Sequence, residues 1–234
     1  MNADKCHLCS QLAGESENDL LSAIFADKVY LRRVLMETAN FALIPSVGPV
    51  AIGHVLLCPK VHCCSFRGVH SDLDGEFLSL KLQIRALLEQ TFRKSVHCFE
   101  HGMRADGSRV LCTVDHAHLH FVPADVNMRN ELQYQQVPWI EFDGSLESLR
   151  ALVGTDEYLF YQSPSGQSAV APARGTAFSS QYIRRAFSLQ LGEGSTWNWR
   201  QFPKVDEIHM TWQQLSSVLP GVTSLSEQSL ADRE

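Results

Sequence analysis

The apolar positions change their period several times along the chain, and each change marks an element. Leu31 to Leu35, Phe41 to Ile44 and His54 to Cys58 are apolar runs of strand length, and Pro45, Gly48 and Pro49 set a turn between the last two. From Asp72 the pattern becomes helical. Leu73, Phe77, Leu80, Ile84, Leu87, Leu88 and Phe92 recur at steps of mostly three and four residues, with Asp72 placed to cap them. Ser95 to Phe99 and Ala117 to Val122 return to strand character. The expected fold class is therefore α+β, with antiparallel strands around one long helix. Further on, Tyr158 to Gln162 predicts a strand, and Ser180 to Leu191 predicts a helix ended by Gly192. Asn198 to Pro203, preceded by Trp197, is irregular and aromatic-rich, and the polar stretch Thr223 to Glu234 is expected to fray. No repeat or low-complexity linker interrupts the chain. The division expected is a catalytic domain over residues 1–125 and, over 126–234, an α/β extension packed on it.

Composition narrows the class without naming a function. With 44% apolar and 20% charged residues in 234, the chain can build a core without disulfides. A net charge of -6 argues against broad nucleic-acid binding, which needs a basic surface. No run of about 18 apolar residues is present to span a membrane. The first residues, MNADKCHLCS, lack the basic and apolar regions of a secretory signal. The seven cysteines are an odd number, and Cys6 and Cys9 form a Cys-x-x-Cys pair, which outside the secretory route reads as a metal or redox site. A cytoplasmic location is expected.

The densest chemistry lies in CTVDHAHLHFVP, from Cys112 to Pro123. His116, His118 and His120 alternate with Ala117 and Leu119, so on a strand all three imidazoles would project from one face. Three aligned imidazoles are costly to desolvate unless a metal or an anion meets them. Two chemistries fit: transition-metal coordination, and phosphoryl or nucleotidyl transfer with one ring as nucleophile and its neighbours as donors. Cys6 and Cys9 supply two thiolates on a tight turn, and His62 follows the apolar run in VLLCPKVH. Two cysteines and two histidines complete a closed zinc site, with a redox thiol pair as its rival and His7, Cys63 and Cys64 as neighbouring alternatives.

These residues resemble the histidine triad superfamily of nucleotide hydrolases and transferases. His-x-His-x-His followed by apolar residues looks like its signature, and NFALIPSVGPVAIGHVLLCPKVH is similar to its upstream half. The resemblance runs from about Cys6 to Pro123 and implies a fold of antiparallel sheet and long helix. It also implies that His118 is the nucleophile on an α-phosphorus, through a nucleotidyl-histidine intermediate. By the same resemblance His120 and Thr113 bind the phosphate. His116, with Cys6, Cys9 and His62, holds a structural Zn2+, as in zinc-bearing members and the related galactose-1-phosphate uridylyltransferases. A nucleotide-like small molecule is the implied partner. The resemblance allows a homodimer with a shared sheet, or a chain whose extension stands in for that partner. Hydrolase and nucleotidyltransferase share the first step. His120, where uridylyltransferases typically carry glutamine, tilts the expectation to hydrolase or phosphorylase. The alternative is a non-catalytic nucleotide sensor on the same fold.

The sequence departs from the family in several places. Cys112 stands where glutamine is frequent, and Glu100 where asparagine or glutamine is. Ser46 stands where an aspartate or asparagine often grips the ribose. Ser46 and Glu100 are nonetheless assigned to nucleotide binding, on the condition that the Glu100 carboxylate is turned away from phosphate or paired with His101 or an arginine. CFEHG and Asp-His-Ala-His-Leu-His resemble a bacterial subset of the family. The loop MRADGSRVL, with Arg104 and Arg109, is expected near the leaving group. In SSQYIRRAFSLQLG, Gln181 and Arg184 share a helix face that Ser179 or Ser180 would cap. Since arginine suits bidentate phosphate contact, that face is a candidate second anion site for nucleotide binding, against a solvated face packed by Trp197 and Trp199.

Overall fold

The structure is a computed structural model that describes residues 6–13, 34–104, 114–128, 132, 137–173 and 179–219. It is an α+β fold built on one antiparallel sheet. In chain order the elements are α1 (His7–Leu12), β1 (Met36–Glu37), β2 (Phe41–Pro45), β3 (Val55–Pro59), α2 (Asp74–Phe92), β4 (Val96–Gly102) and β5 (Leu119–Pro123). They continue with β6 (Ile140–Phe142), α3 (Leu146–Val153), β7 (Tyr158–Gln162), β8 (Ser168–Pro172), α4 (Tyr182–Gln190) and α5 (Val205–Ser216). The strand order is β1-β2-β3-β5-β4-β7-β8-β6. No helix among the described residues is long and apolar enough to cross a membrane.

Both faces of the sheet are covered, which is why its strands read as apolar runs rather than alternating ones. On one face Phe41, Leu43, Leu57, Cys98, Leu119 and Phe121 pack with Phe77, Leu80, Ile84 and Leu88 of α2, and with Trp212 and Leu215 of α5. Removing the fully buried Ile84 side chain to alanine would cost about 2–5 kcal/mol. On the other face Phe99, Val122, Leu159 and Tyr161 pack with Tyr182, Ile183 and Phe187 of α4, while Leu8 of α1 packs with Ile44, Leu56 and Cys58. The second half of the chain joins the first through β7, which pairs with β4 in the register Phe99↔Tyr161 and His101↔Leu159. The edge of β4 is thus taken by the same chain.

Several boundaries differ from expectation. α2 begins at Asp74, preceded by a 3-10 turn over Ser71–Leu73, and the Asp72 amide donates to the His70 ring instead of Asp72 capping the helix. The strand that follows the triad starts at Leu119, not Ala117. Neither Ser179 nor Ser180 caps α4; Gln181 occupies that place in left-handed conformation (φ 55°) with no side-chain cap. Gly192 follows α4 with φ 72°, as a helix stop requires. Of the run Leu31 to Leu35, residues 31–33 lie outside the described residues, as do Thr223 to Glu234. The strands β6 and β8 and the helices α3 and α5 were not expected. Ser145 marks the start of α3, its hydroxyl accepting from the Ser148 amide.

Candidate active site

The three histidines part company at Ala117. His116 lies ahead of β5 and faces the N-terminal cysteines, while His118 and His120 line a pocket together, ring centroids 4.9 Å apart. Strand β5 reaches only the last of the three: it begins at Leu119, so His116 and His118 precede it.

Backbone groups settle the tautomer of each ring. The His118 Nδ1–H donates to the His116 carbonyl at 2.6 Å; a carbonyl only accepts, so Nε2 keeps its lone pair. The Val50 amide donates to His54 Nδ1 at 3.2 Å, which leaves the proton on His54 Nε2. That proton is donated to His120 Nδ1 at 2.8 Å, so His120 carries its own proton on Nε2 as a donor. Burial lowers the pKa of all three rings, and Arg184 adds to the shift in each; the bond to the His116 carbonyl opposes it at His118. They work as neutral imidazoles. Phe99 stacks on His120 with centroids 4.2 Å apart and planes 7° from parallel, which holds that ring in place. His54, fully buried, was missed as a site residue; its signal was the Gly-His pair opening the β3 run.

His116 has the opposite arrangement. Its Nε2–H donates to the Pro59 carbonyl at 2.7 Å, leaving the Nδ1 lone pair 3.4 Å from Cys9 Sγ and 3.6 Å from Cys6 Sγ. His62 Nδ1 lies 3.3 Å from Cys9 Sγ. The four ligand atoms of Cys6, Cys9, His62 and His116 all fall within 4.8 Å of one another, and among the described residues they are the group that could hold a metal. A tetrahedral zinc with Zn–S of about 2.3 Å and Zn–N of about 2.0 Å spans edges of this size. Cys6 and Cys9 are not joined in a disulfide. Cys63 and Cys64 stand outside the cluster; their carbonyls accept from Ala117 and Met103, and burial pushes the Cys63 thiol up to about 12.

The pocket draws its walls from both halves of the chain. Ser46, Phe99 and the two histidines come from the first half, and Gln181, Arg184 and Trp199 from the second. Leu8 of the cysteine-bearing α1 completes one wall. Ser46 is buried, its hydroxyl donating to the Val47 carbonyl. Gly48 is held at φ 55°, and a Cβ there would meet the Trp199 backbone at 2.6 Å, so glycine lets the two segments close. Arg184, 5% exposed, donates to the Trp197 and Gly48 carbonyls, and burial lowers its pKa to about 10.

Glu100 is not in the pocket. Phe99 pairs with His120 and shares its face, so Glu100, one residue on, faces α2 instead. There it accepts from the Phe66 amide at 2.8 Å and from the Tyr158 hydroxyl, and burial raises its pKa to about 7. A Cβ on Gly102 would strike the Tyr158 ring at 2.1 Å, so that glycine admits the tyrosine. His101 does line the pocket but is bonded to Glu157 at 2.6 Å, not to Glu100. Thr113, Cys112 and Arg109 lie outside the described residues.

Residues 28–127 match the HIT domain family. No curated protein matches the chain. Among solved structures, the chain is similar to a hypothetical histidine triad nucleotide-binding protein from Sulfolobus tokodaii, at 19% identity, covering 51% of this chain and 68% of that one with TM-score 0.39. A HIT family protein from Bacillus anthracis matches at 20% identity over 52% of this chain and 74% of its own, TM-score 0.40. A Zn-bound histidine triad family protein from Mycobacterium smegmatis matches at 19% identity over 52% and 76%, TM-score 0.38.

Proposed function

We propose that this chain, whose residues 28–127 match the HIT domain family, is a nucleotide hydrolase or nucleotidyltransferase in which His118 attacks the α-phosphorus of a nucleotide-like substrate. The observation that carries this reading is the 2.6 Å bond from His118 Nδ1–H to the His116 carbonyl, which leaves Nε2 unprotonated and facing the pocket. The Nε2 lone pair forms the N–P bond, and the bond from phosphorus to the leaving group breaks with its electron pair going to that group. The Nε2–H of His120 donates to a non-bridging oxygen as charge builds there. Water or another acceptor then displaces His118 and releases the nucleotide. Ser46 offers its hydroxyl to the sugar, Gln181 and Arg184 bind the nucleotide from the second half, and Thr113 keeps its assignment to the phosphate. Glu100, on the other face, has no part in it.

Cys6, Cys9, His62 and His116 fit a structural Zn2+ in donor type and spacing. When bound, the ion ties α1 to the segment that carries His118, and it enters no step of the chemistry. A cytoplasmic setting would keep Cys6 and Cys9 reduced and available to the metal.

Intact-protein mass spectrometry tests the reading. The protein is exposed briefly to dinucleoside polyphosphates, nucleoside phosphoramidates and nucleotide sugars and quenched in alkali. The expected result is a mass gain of one nucleoside monophosphate that is absent in His118→Ala. Turnover undiminished in His118→Ala would rule out the mechanism. Binding without adduct or product from any compound would favour a nucleotide sensor.

A further inference from the structure

Among the described residues that line the pocket, Arg184 is the one arginine or lysine. His118 and His120 bring hydrogen-bonding ring nitrogens to the pocket, and His101 is bonded to Glu157. Among the described residues no aspartate, glutamate or lysine lines the pocket. Arg184 does, buried at 5% exposure. Its two bonds run to the backbone carbonyls of Trp197 and Gly48, and no carboxylate pairs it among the described residues. A buried guanidinium bonded only to neutral carbonyls has most of its desolvation cost uncompensated, and an anion in the pocket is the partner that would offset it.

The element that carries Arg184 is aimed the same way. Gln181, Tyr182, Ile183 and Arg184, the head and first turn of α4, all line the pocket. That helix end has no side-chain cap and no acidic residue in its first turn, so its positive dipole end meets no negative charge of its own. Gln181 is held in a left-handed conformation that costs a non-glycine residue energy. Its Oε1 is buried without a hydrogen-bond partner. A flip of the Gln181 amide turns that orphan acceptor into a donor.

We propose that the first turn of α4, with Arg184 and Gln181, is an anion cradle that carries the charge of the substrate's phosphoryl group. The second half of the chain thus supplies the counter-charge for a reaction whose nucleophile comes from the first. The identification of the anion as a phosphoryl group rests on the function proposed above; the cradle itself does not.

Calorimetric titration of the full-length protein tests this without turnover. AMP, GMP, CMP and UMP are compared with adenosine, guanosine, cytidine and uridine. The wild type should bind at least one monophosphate roughly tenfold or more tighter than its nucleoside, the preference falling as salt rises. Arg184→Gln should bring the ratio close to one by weakening the monophosphate more than the nucleoside, and Arg184→Lys should restore part of it. Should Arg184→Gln fail to fold, Gln181→Glu serves: a carboxylate at the helix head should weaken the monophosphate alone. A ratio unchanged in both Arg184→Gln and Gln181→Glu overturns the cradle, as does a wild type with no preference for any monophosphate. The covalent adduct at His118 is read separately. An adduct formed with an unchanged ratio fails the cradle alone, while a collapsed ratio with no adduct fails the catalytic reading alone.

Discussion

The cysteine-histidine cluster and the pocket beside it are built from the same side chain under opposite instructions. In the cluster the Pro59 carbonyl takes the Nε2 proton of His116, and Nδ1 is left to face two thiols. In the pocket the His116 carbonyl takes the Nδ1 proton of His118, and Nε2 is left to face the cavity. Both rings are neutral because burial disfavours the cation. Under the proposed function, what divides a metal ligand from a nucleophile, two residues apart, is which ring nitrogen a backbone carbonyl claims. His116 belongs to both regions: its ring faces the cluster and its carbonyl orients His118.

The sharpest way to break this comparison is to remove one ring at a time. His118→Ala should lower turnover by at least about 10⁴-fold while metal content stays at the wild-type level. Equal loss of metal in that variant would mean that the two regions are not separable as drawn. Cys6→Ser, or removal of metal by a chelator, should do the reverse in stability, lowering the melting temperature because the binding energy of a structural metal is folding energy. Since Leu8 on the same helix forms a pocket wall, KM should rise as well. An unchanged melting temperature and metal content in Cys6→Ser would place the metal elsewhere.

His97 offers a third kind of buried imidazole, one satisfied wholly within the fold. Its Nε2–H donates to the Ala124 carbonyl at 3.0 Å and its Nδ1 accepts from the Tyr161 hydroxyl at 2.8 Å. Burial lowers its pKa to about 4, against about 6.5 unfolded. Between those values the unfolded chain binds the proton and the folded one does not. Its contribution is therefore complete above about pH 6.5 and lost as pH falls toward 4, to a total of roughly 3 kcal/mol. Urea midpoints measured across that window should fall with pH, and His97→Gln should flatten the slope. A slope identical to wild type would remove His97 from the account.

His54 tests the chain of protons behind His120. His54→Ala leaves the Val50 amide and His120 Nδ1 without partners, and kcat should drop by about 10- to 100-fold with KM little changed. His54→Gln, which keeps a donor, should recover part of that. Recovery by alanine as good as by glutamine would reduce His54 to packing. The smallest effect is expected at Ser46→Ala, a KM increase of several-fold with kcat unchanged, since one neutral hydrogen bond is worth about 1 kcal/mol.

The local pattern was enough to define α2, the strands β2, β3 and β4, and the identity of the triad, because helical and strand periods and motif spacing are carried by neighbours in sequence. It also proposed Cys6, Cys9, His62 and His116 as one set, which the fold does bring together. The parity of β4 held more than was used: with Phe99 opposite His120, Glu100 had to face α2, and the pairing register was the missing fact. What only the tertiary structure decided is where remote segments meet. The docking of β7 on β4, the closure of Gly48 against Trp199, the bond from His54 to His120 and the burial of Arg184 under two carbonyls all join residues far apart in sequence. No periodicity encodes such meetings. They follow from which faces remain to be covered once the sheet is assembled, and that is a property of the whole chain.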